Sequence, residues 1–291
     1  MKVTQMSTYR SIQFNLDRTS DDLNQLYLQA SNGKNLQRPS DDPASIGPIL
    51  SSRTQIVTSD RYMDTIAGTQ DGLNVLDGYL DATENLFVRA KEITVYGING
   101  ALSPEDSQAL ADEVAQLKTE LFDIANANVD GKYIFSGYAE NTPPFSGDPV
   151  VYQGTSDHKL VEISAGQTVQ TNLSGDELFM SPINLFQTLA DLETALNAND
   201  TNALNNSLTS IENASEQVRS QRSQMGNINA HLDDVNTMTA EFKLQMQEKL
   251  SRYEDADLAK VLSDMTQTEQ AYEAALSVSA RLSKLSILDY L

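Results

Sequence analysis

Both ends of this chain carry apolar residues at alternating steps of three and four, which restricts each end to a helix whose single stripe has to be covered. At the N-terminal end Tyr9, Ile12, Leu16, Leu23, Leu26 and Ala30 keep the spacing until Asn32-Gly33, a helix stop. At the C-terminal end Leu258, Leu262, Met265, Tyr272, Leu276, Leu282 and Leu285 keep it after the polar break Glu254-Asp255-Ala256-Asp257. Leu288 and Leu291 extend the stripe into a tail where free chain ends normally turn polar. One narrow stripe makes a marginal helix in isolation. The two ends are therefore expected to pair with each other, and the apolar tail expects a partner.

The same spacing recurs inside the chain. A second helix is expected after Pro43, carrying Ile56, Met63, Ile66, Leu73, Leu80 and Phe87 up to Gly97 and Gly100. Ser103-Pro104-Glu105-Asp106 reads as an N-cap, a proline in the first turn and acids at the positive end of a dipole, with the third helix closed by Asp130-Gly131. Ser181-Pro182 opens a short helix through Leu185, Leu189, Leu192 and Leu196. From Asp200-Thr201 to Tyr253 runs a helix of about 75 Å at ~1.5 Å per residue, too long to stand without antiparallel neighbours.

Between these helices the period changes. Val150 to Gln153, His158 to Ser164 and Thr168 to Leu173 read as the strands of a small antiparallel meander. The expected fold is mainly α: a long antiparallel helical bundle or coiled coil formed by both chain ends, with a small β-containing outer domain inserted in the middle. The expected divisions are 1-32 plus 257-291 as a terminal coiled coil, 33-137 plus 200-256 as a long-helix bundle, and 138-199 as the outer domain.

Charge narrows the partners. Twenty basic against forty-one acidic residues leave a net charge of -21, which repels nucleic acid and anionic lipid. No run approaches the roughly 18 apolar residues of a membrane span, and Met1 to Met6 lacks the apolar core of a cleaved signal peptide. There is no cysteine. His158 and His231 stand apart, no metal or nucleotide motif surrounds them, and the doublets Asp21-Asp22, Asp41-Asp42 and Asp233-Asp234 lack the alternating oxygen ligands of a calcium loop. No catalytic, cofactor or metal site is expected, and the chain reads as a building block.

Three stretches resemble the flagellin superfamily, and within it the branch found at the junction of hook and filament. The first is the N-terminal run Met1-Lys2-Val3-Thr4 through Tyr9, followed by a heptad helix and then Ser31 to Pro43 with its box Arg38-Pro39-Ser40-Asp41-Asp42-Pro43, in which Ser40 or Asp41 is expected to cap the next helix. Asn35 and Gln37 stand where family members usually carry arginine and asparagine. The second is Gly131 to Tyr138, with Tyr133, Phe135 and Gly137, followed by Thr142-Pro143-Pro144-Phe145. The third is Tyr272 to Leu291.

The resemblance implies an extracellular structural protein of the bacterial flagellum, exported by the flagellar type III pathway. Its implied partners are copies of itself in a helical ring, the other hook-associated junction protein, flagellin, and an export chaperone on the C-terminal helix. Because a single stripe per terminal helix is marginal in isolation, both ends are expected to be disordered in the free subunit and to fold on assembly. A filament subunit sharing the same ends is the nearest alternative, followed at a distance by an enzyme carried in residues 138-199 and by a secretion-system module that coats a partner.

Overall fold

The computed structural model describes residues 2–100 and 103–288, and within them the side chains of 7, 9–100 and 103–281. In chain order it has α1 (Lys2–Asn32), α2 (Pro43–Asn99) and α3 (Pro104–Ala125), then β1 (Asn128–Val129), β2 (Lys132–Tyr133), β3 (Phe145–Ser146), β4 (Val151–Tyr152), β5 (Leu160–Ser164) and β6 (Gln167–Gln170). A π-helical turn (Asp176–Met180), α4 (Leu185–Asn197), α5 (Thr201–Glu254) and α6 (Leu258–Leu288) complete it. No helix among the described residues is long and apolar enough to cross a membrane.

The chain divides into two compact units, Met1–Ser59 with Glu241–Leu291, and Asp60–Ala240. The larger unit holds almost all the apolar core. Ile66, Leu73, Leu80 and Phe87 of α2, Val114 and Leu121 of α3, Leu185, Leu189 and Leu192 of α4, and Leu204, Ile211, Val218, Met225 and Leu232 of α5 are buried together. The stripes expected from spacing are thus the ones that pack.

Polar rungs fix α2 and α5 as antiparallel neighbours in this unit. Gln70 donates to Asp233 (2.6 Å) and Lys91 pairs with Glu212 (2.8 Å), while between them Arg222 spans Asp77 (2.7 Å), Asp81 (2.7 Å) and Glu84 (3.2 Å). α3 and α4 are tied by Lys118 to Glu193 (2.7 Å) and by the Ser107 hydroxyl donating to the Leu196 carbonyl (2.6 Å). Ser103 caps α3 as its sequence signal requires, accepting from the Asp106 amide.

The strands depart from the expected meander. They form three separate two-stranded ribbons, β1-β2, β3-β4 and β5-β6. Val151-Tyr152 pairs back onto Phe145-Ser146 and not onto the following strand. α3 ends at Ala125, and Asp130-Gly131 serves as the two-residue turn of the β1-β2 hairpin, with φ of 52° and 82°. Positive φ at both central residues matches the right-handed twist of the flanking strands, and that is why Asp-Gly sits there. The short helix begins later than Ser181-Pro182, at Leu185 behind an Asn184 cap.

Candidate assembly site

The smaller unit contains the two chain ends. α1 and α6 pack side by side, with the C-terminal end of α1 beside the start of α6. Ile12, Leu16, Thr19, Leu23 and Leu26 are half-buried at three-four spacing on α1, and on α6 Val261 is buried while Met265, Thr268, Tyr272, Ala275 and Ser279 are half-buried. Tyr27 donates to Glu269 at the edge of this contact, and the bond to a carboxylate raises the phenol's pKa.

Not every expected seam residue lies on that face. Leu258 (47%), Leu262 (50%) and Leu276 (45%) are exposed, as is Tyr9, and they flank the contact by roughly a quarter-turn of helix. The covered face mixes large and small residues, Val261, Met265 and Tyr272 with Ala275 and Ser279, and the three leucines sit on one flank of it. Leu282, Leu285, Leu288 and Leu291 fall outside the described side chains. Phe14 (68%), Leu28 and Val278 add exposed apolar surface that spacing alone had not marked.

The loop between α1 and α2 holds the proline box. Asp42, not Ser40 or Asp41, caps α2: its carboxylate accepts from the Ala44 amide (3.0 Å) and the Ser45 hydroxyl, bonds that hold it below the usual carboxylate range. Pro43 then occupies the first helical position, where its missing N–H costs nothing. Asp41 turns back to accept from the amides of Gln37 (3.1 Å) and Arg38 (2.8 Å). The two departures from the family pattern are both used. Asn35 accepts from the Gln29 side chain at its carbonyl and its amide oxygen, and Gln37 exchanges bonds with Asn32.

This loop is also stitched to the break between α5 and α6. The Asn35 amide donates to the Glu254 carbonyl (2.8 Å), the Ala256 amide to the Gly33 carbonyl (2.8 Å), and Lys34 forms an antiparallel bridge with Asp255. The Glu254 side chain is buried, 4% exposed for the residue as a whole, and takes both Lys34 and Arg53 (2.6 Å). Burial pushes its pKa up, but the Lys34 and Arg53 bonds outweigh burial and leave it below its ordinary value. Spacing gave no hint of this contact, since both segments read as polar breaks.

The second family stretch lies in the larger unit. Tyr133 pairs with Asn128 across the hairpin, and Phe135 is fully buried, edge-on to Phe179 at 5.1 Å. Phe145 continues the cluster against Phe179 (5.4 Å), Phe186 (5.3 Å) and Tyr152 (5.2 Å), its backbone bracketed by the Asn126 side chain. Gly137 has φ of 66°, and a Cβ there would sit 2.1 Å from the Thr155 carbonyl oxygen. These motif residues build an aromatic core where the chain leaves the helices. The histidines stay apart: His231 is exposed on α5, and His158 lies 3.4 Å from Glu177 on the surface.

Comparison with known proteins agrees with this geometry. The bacterial flagellin N-terminal helical region matches residues 3–140, and the C-terminal helical region matches residues 208–291. Flagellar hook-associated protein 3 of Escherichia coli (strain K12) is 25% identical over 290 residues, covering 89% of this chain and 90% of that protein. Its namesake from Salmonella typhimurium is 22% identical over 313 residues, covering 99% and 98%. The crystal structure of flagellar hook-associated protein-3 from Legionella pneumophila shares the fold, with a TM-score of 0.65 at 17% identity over 70% of this chain and 98% of that one.

Proposed function

Because this chain belongs to the bacterial flagellin family, a family of structural flagellar proteins, we propose that it is the junction member, joining the hook side to the filament. It does so by self-assembly of its terminal helices. One end of its ring meets the other hook-associated junction protein, and the opposite end meets flagellin. Export through the flagellar type III pathway delivers it outside the cell, with a chaperone covering the C-terminal helix on the way. Its work is mechanical and not catalytic.

The observation that carries this reading is the two-faced terminal pair. α1 and α6 cover one stripe on each other, yet Tyr9, Phe14, Leu258, Leu262 and Leu276 remain exposed. So much apolar surface on two thin helices is a liability in a free subunit and a contact surface in a packed one. In the assembled ring the divisions 1-32 plus 257-291, 33-137 plus 200-256 and 138-199 become an inner lining, a middle shell and an outward face. Seam residues from Ile12 to Leu26 and from Leu258 to Leu291 belong to the inner lining.

Electron microscopy of cells lacking this gene, with flagellin assayed in the medium, tests the assignment. Bare hooks with flagellin lost to the medium are expected. Intact filaments overturn the junction role and leave either a dispensable minor filament subunit or a protein that is no part of the flagellum, while hooks with no flagellin anywhere point to an export role instead.

A further inference from the structure

The contact between α1 and α6 has little to define its register. Its half-buried positions repeat with near-heptad spacing and many are small or polar; the Tyr27–Glu269 hydrogen bond joins the helices at the exposed edge, but among the described residues no salt bridge does. Slipping such a pair by one heptad, about 10.5 Å, brings similar side chains back into contact. Apolar stripes favour pairing but discriminate poorly between registers. Buried charged and polar groups do discriminate, because a slip strands them without partners.

The Glu254 site has that character, and it lies where α1 ends and α6 begins. Its carboxylate is buried at the last residue of α5, between Arg53 of α2 and Lys34 of the loop that follows α1. Two backbone hydrogen bonds, Asn35 to Glu254 and Ala256 to Gly33, hold the loop and the break edge to edge. Gln29, the last buried side chain of α1, bonds to Asn35 and so ties the helix to the loop. A one-heptad slip of α1 against α6 removes both backbone bonds and leaves the carboxylate buried without its Lys34 partner.

We propose that Lys34, Glu254 and Arg53 form a register lock for the terminal helices: the site fixes which residue of α1 meets which residue of α6, and the pair closes outward from it. Glu254 is a positioning residue. It touches no neighbouring subunit in this role and acts by presenting the exposed Leu258, Leu262 and Leu276 stripe at one height along α1. The proposal deepens the assembly reading above and rests on it for its biological use; because the ends are expected to order on assembly, its test is made on the assembled protein.

The absence of cysteine allows site-specific cross-linking without background. Tyr27→Cys with Glu269→Cys reports the observed register, and Tyr27→Cys with Leu262→Cys reports a one-heptad slip, each treated with a short bismaleimide. The observed-register product is expected to dominate in the otherwise native chain. With Glu254→Ala added, its yield is expected to fall at least fivefold while the slipped product rises, and Lys34→Met with Arg53→Met is expected to do the same. An unchanged yield in both backgrounds overturns the lock, and so does loss of the observed product with no slipped product, because the pair has then merely separated. None of these outcomes depends on the gene-deletion phenotype, so failure of the lock and failure of the junction role are distinguishable.

Discussion

The two units of this protein are held together by different physics. Residues 60–240 enclose an aromatic cluster of Phe135, Phe145, Phe179 and Phe186 continuous with the leucine stripes of four helices. In residues 1–59 with 241–291, the buried apolar residues among the described side chains are Ile49 and Val261 alone, and the best-buried charged group is Glu254. One unit is stable by closure around a core, and the other by a polar clasp with a pair of helices that still have surface to cover. On the assembly reading proposed above, the first construction keeps the subunit folded and the second leaves its ends free to pack against neighbours.

Removing a ring from the aromatic cluster tests that contrast most severely. Phe145→Ala is expected to destabilise residues 60–240 by about 3 to 5 kcal/mol in urea unfolding, since it deletes a fully buried aromatic side chain from three ring contacts. Hydrogen exchange at the Asn35 and Ala256 amides is expected to change far less. Equal loss of protection in both places would mean that the two units unfold as one.

Gly137→Ala should cost about 2 kcal/mol or more, from the left-handed backbone and from a Cβ driven against Thr155. Gly166→Ala makes the control, because its φ is also positive (74°) but nothing lies within 4 Å. A similar loss at both positions would assign the whole effect to φ and none to the close approach.

Acid separates the units in the other direction. Glu254 has its pKa lowered in the folded protein, so the stability it contributes is present above its unfolded value and disappears as pH falls through the lower folded one. As pH falls below the ordinary carboxylate value of 4.5, amides 33–35 and 254–256 are expected to lose protection, and the loss should be blunted in Glu254→Gln. Protection that is flat with pH in the native chain would remove the carboxylate from the clasp.

The smallest effect on stability goes with a large effect on assembly. Leu276→Asp alters an exposed position, so unfolding of the purified subunit is expected to shift by no more than about 0.5 kcal/mol. Incorporation into flagella and swimming are expected to be lost. A normally motile Leu276→Asp strain would show that the flank of α6 is not a packing surface.

Much of this architecture was legible from spacing. The helix stop at Asn32-Gly33, the Ser103 cap, and the long run from Thr201 to Glu254 were all marked by local chemistry that needs no tertiary information. Two errors had signals that point the other way. Asp130-Gly131 is a favoured hairpin dipeptide, and Pro43 at the first helical position places the cap at Asp42. Of the expected strands the last two do pair, as β5-β6, while β3 escaped notice and the partner of β4 was missed for a physical reason: these are two residues each, too short for any alternation to show. The covered stripe of α6 was partly legible: Met265 and Tyr272 lie on it as spacing expects, whereas Leu258, Leu262 and Leu276 lie beside it, exposed in the single subunit. Nothing in a linear reading connects Lys34 to Glu254, since their pairing is a consequence of where two helix breaks meet.

The rungs between α2 and α5 carry one more implication, about how such a chain can change length over evolution. From Gln70 to Lys91 is a step of 21 residues, and from Glu212 to Asp233 is also 21, so the two helices climb past each other in strict counterpoint. A single codon gained in either stretch would turn every later side chain by about 100° and set the remaining rungs against the wrong neighbours. Length can be gained there only in matched blocks of whole turns on both strands of the gene's product. The turns of the three ribbons face no such arithmetic, and it is there that descendants of this sequence are free to grow.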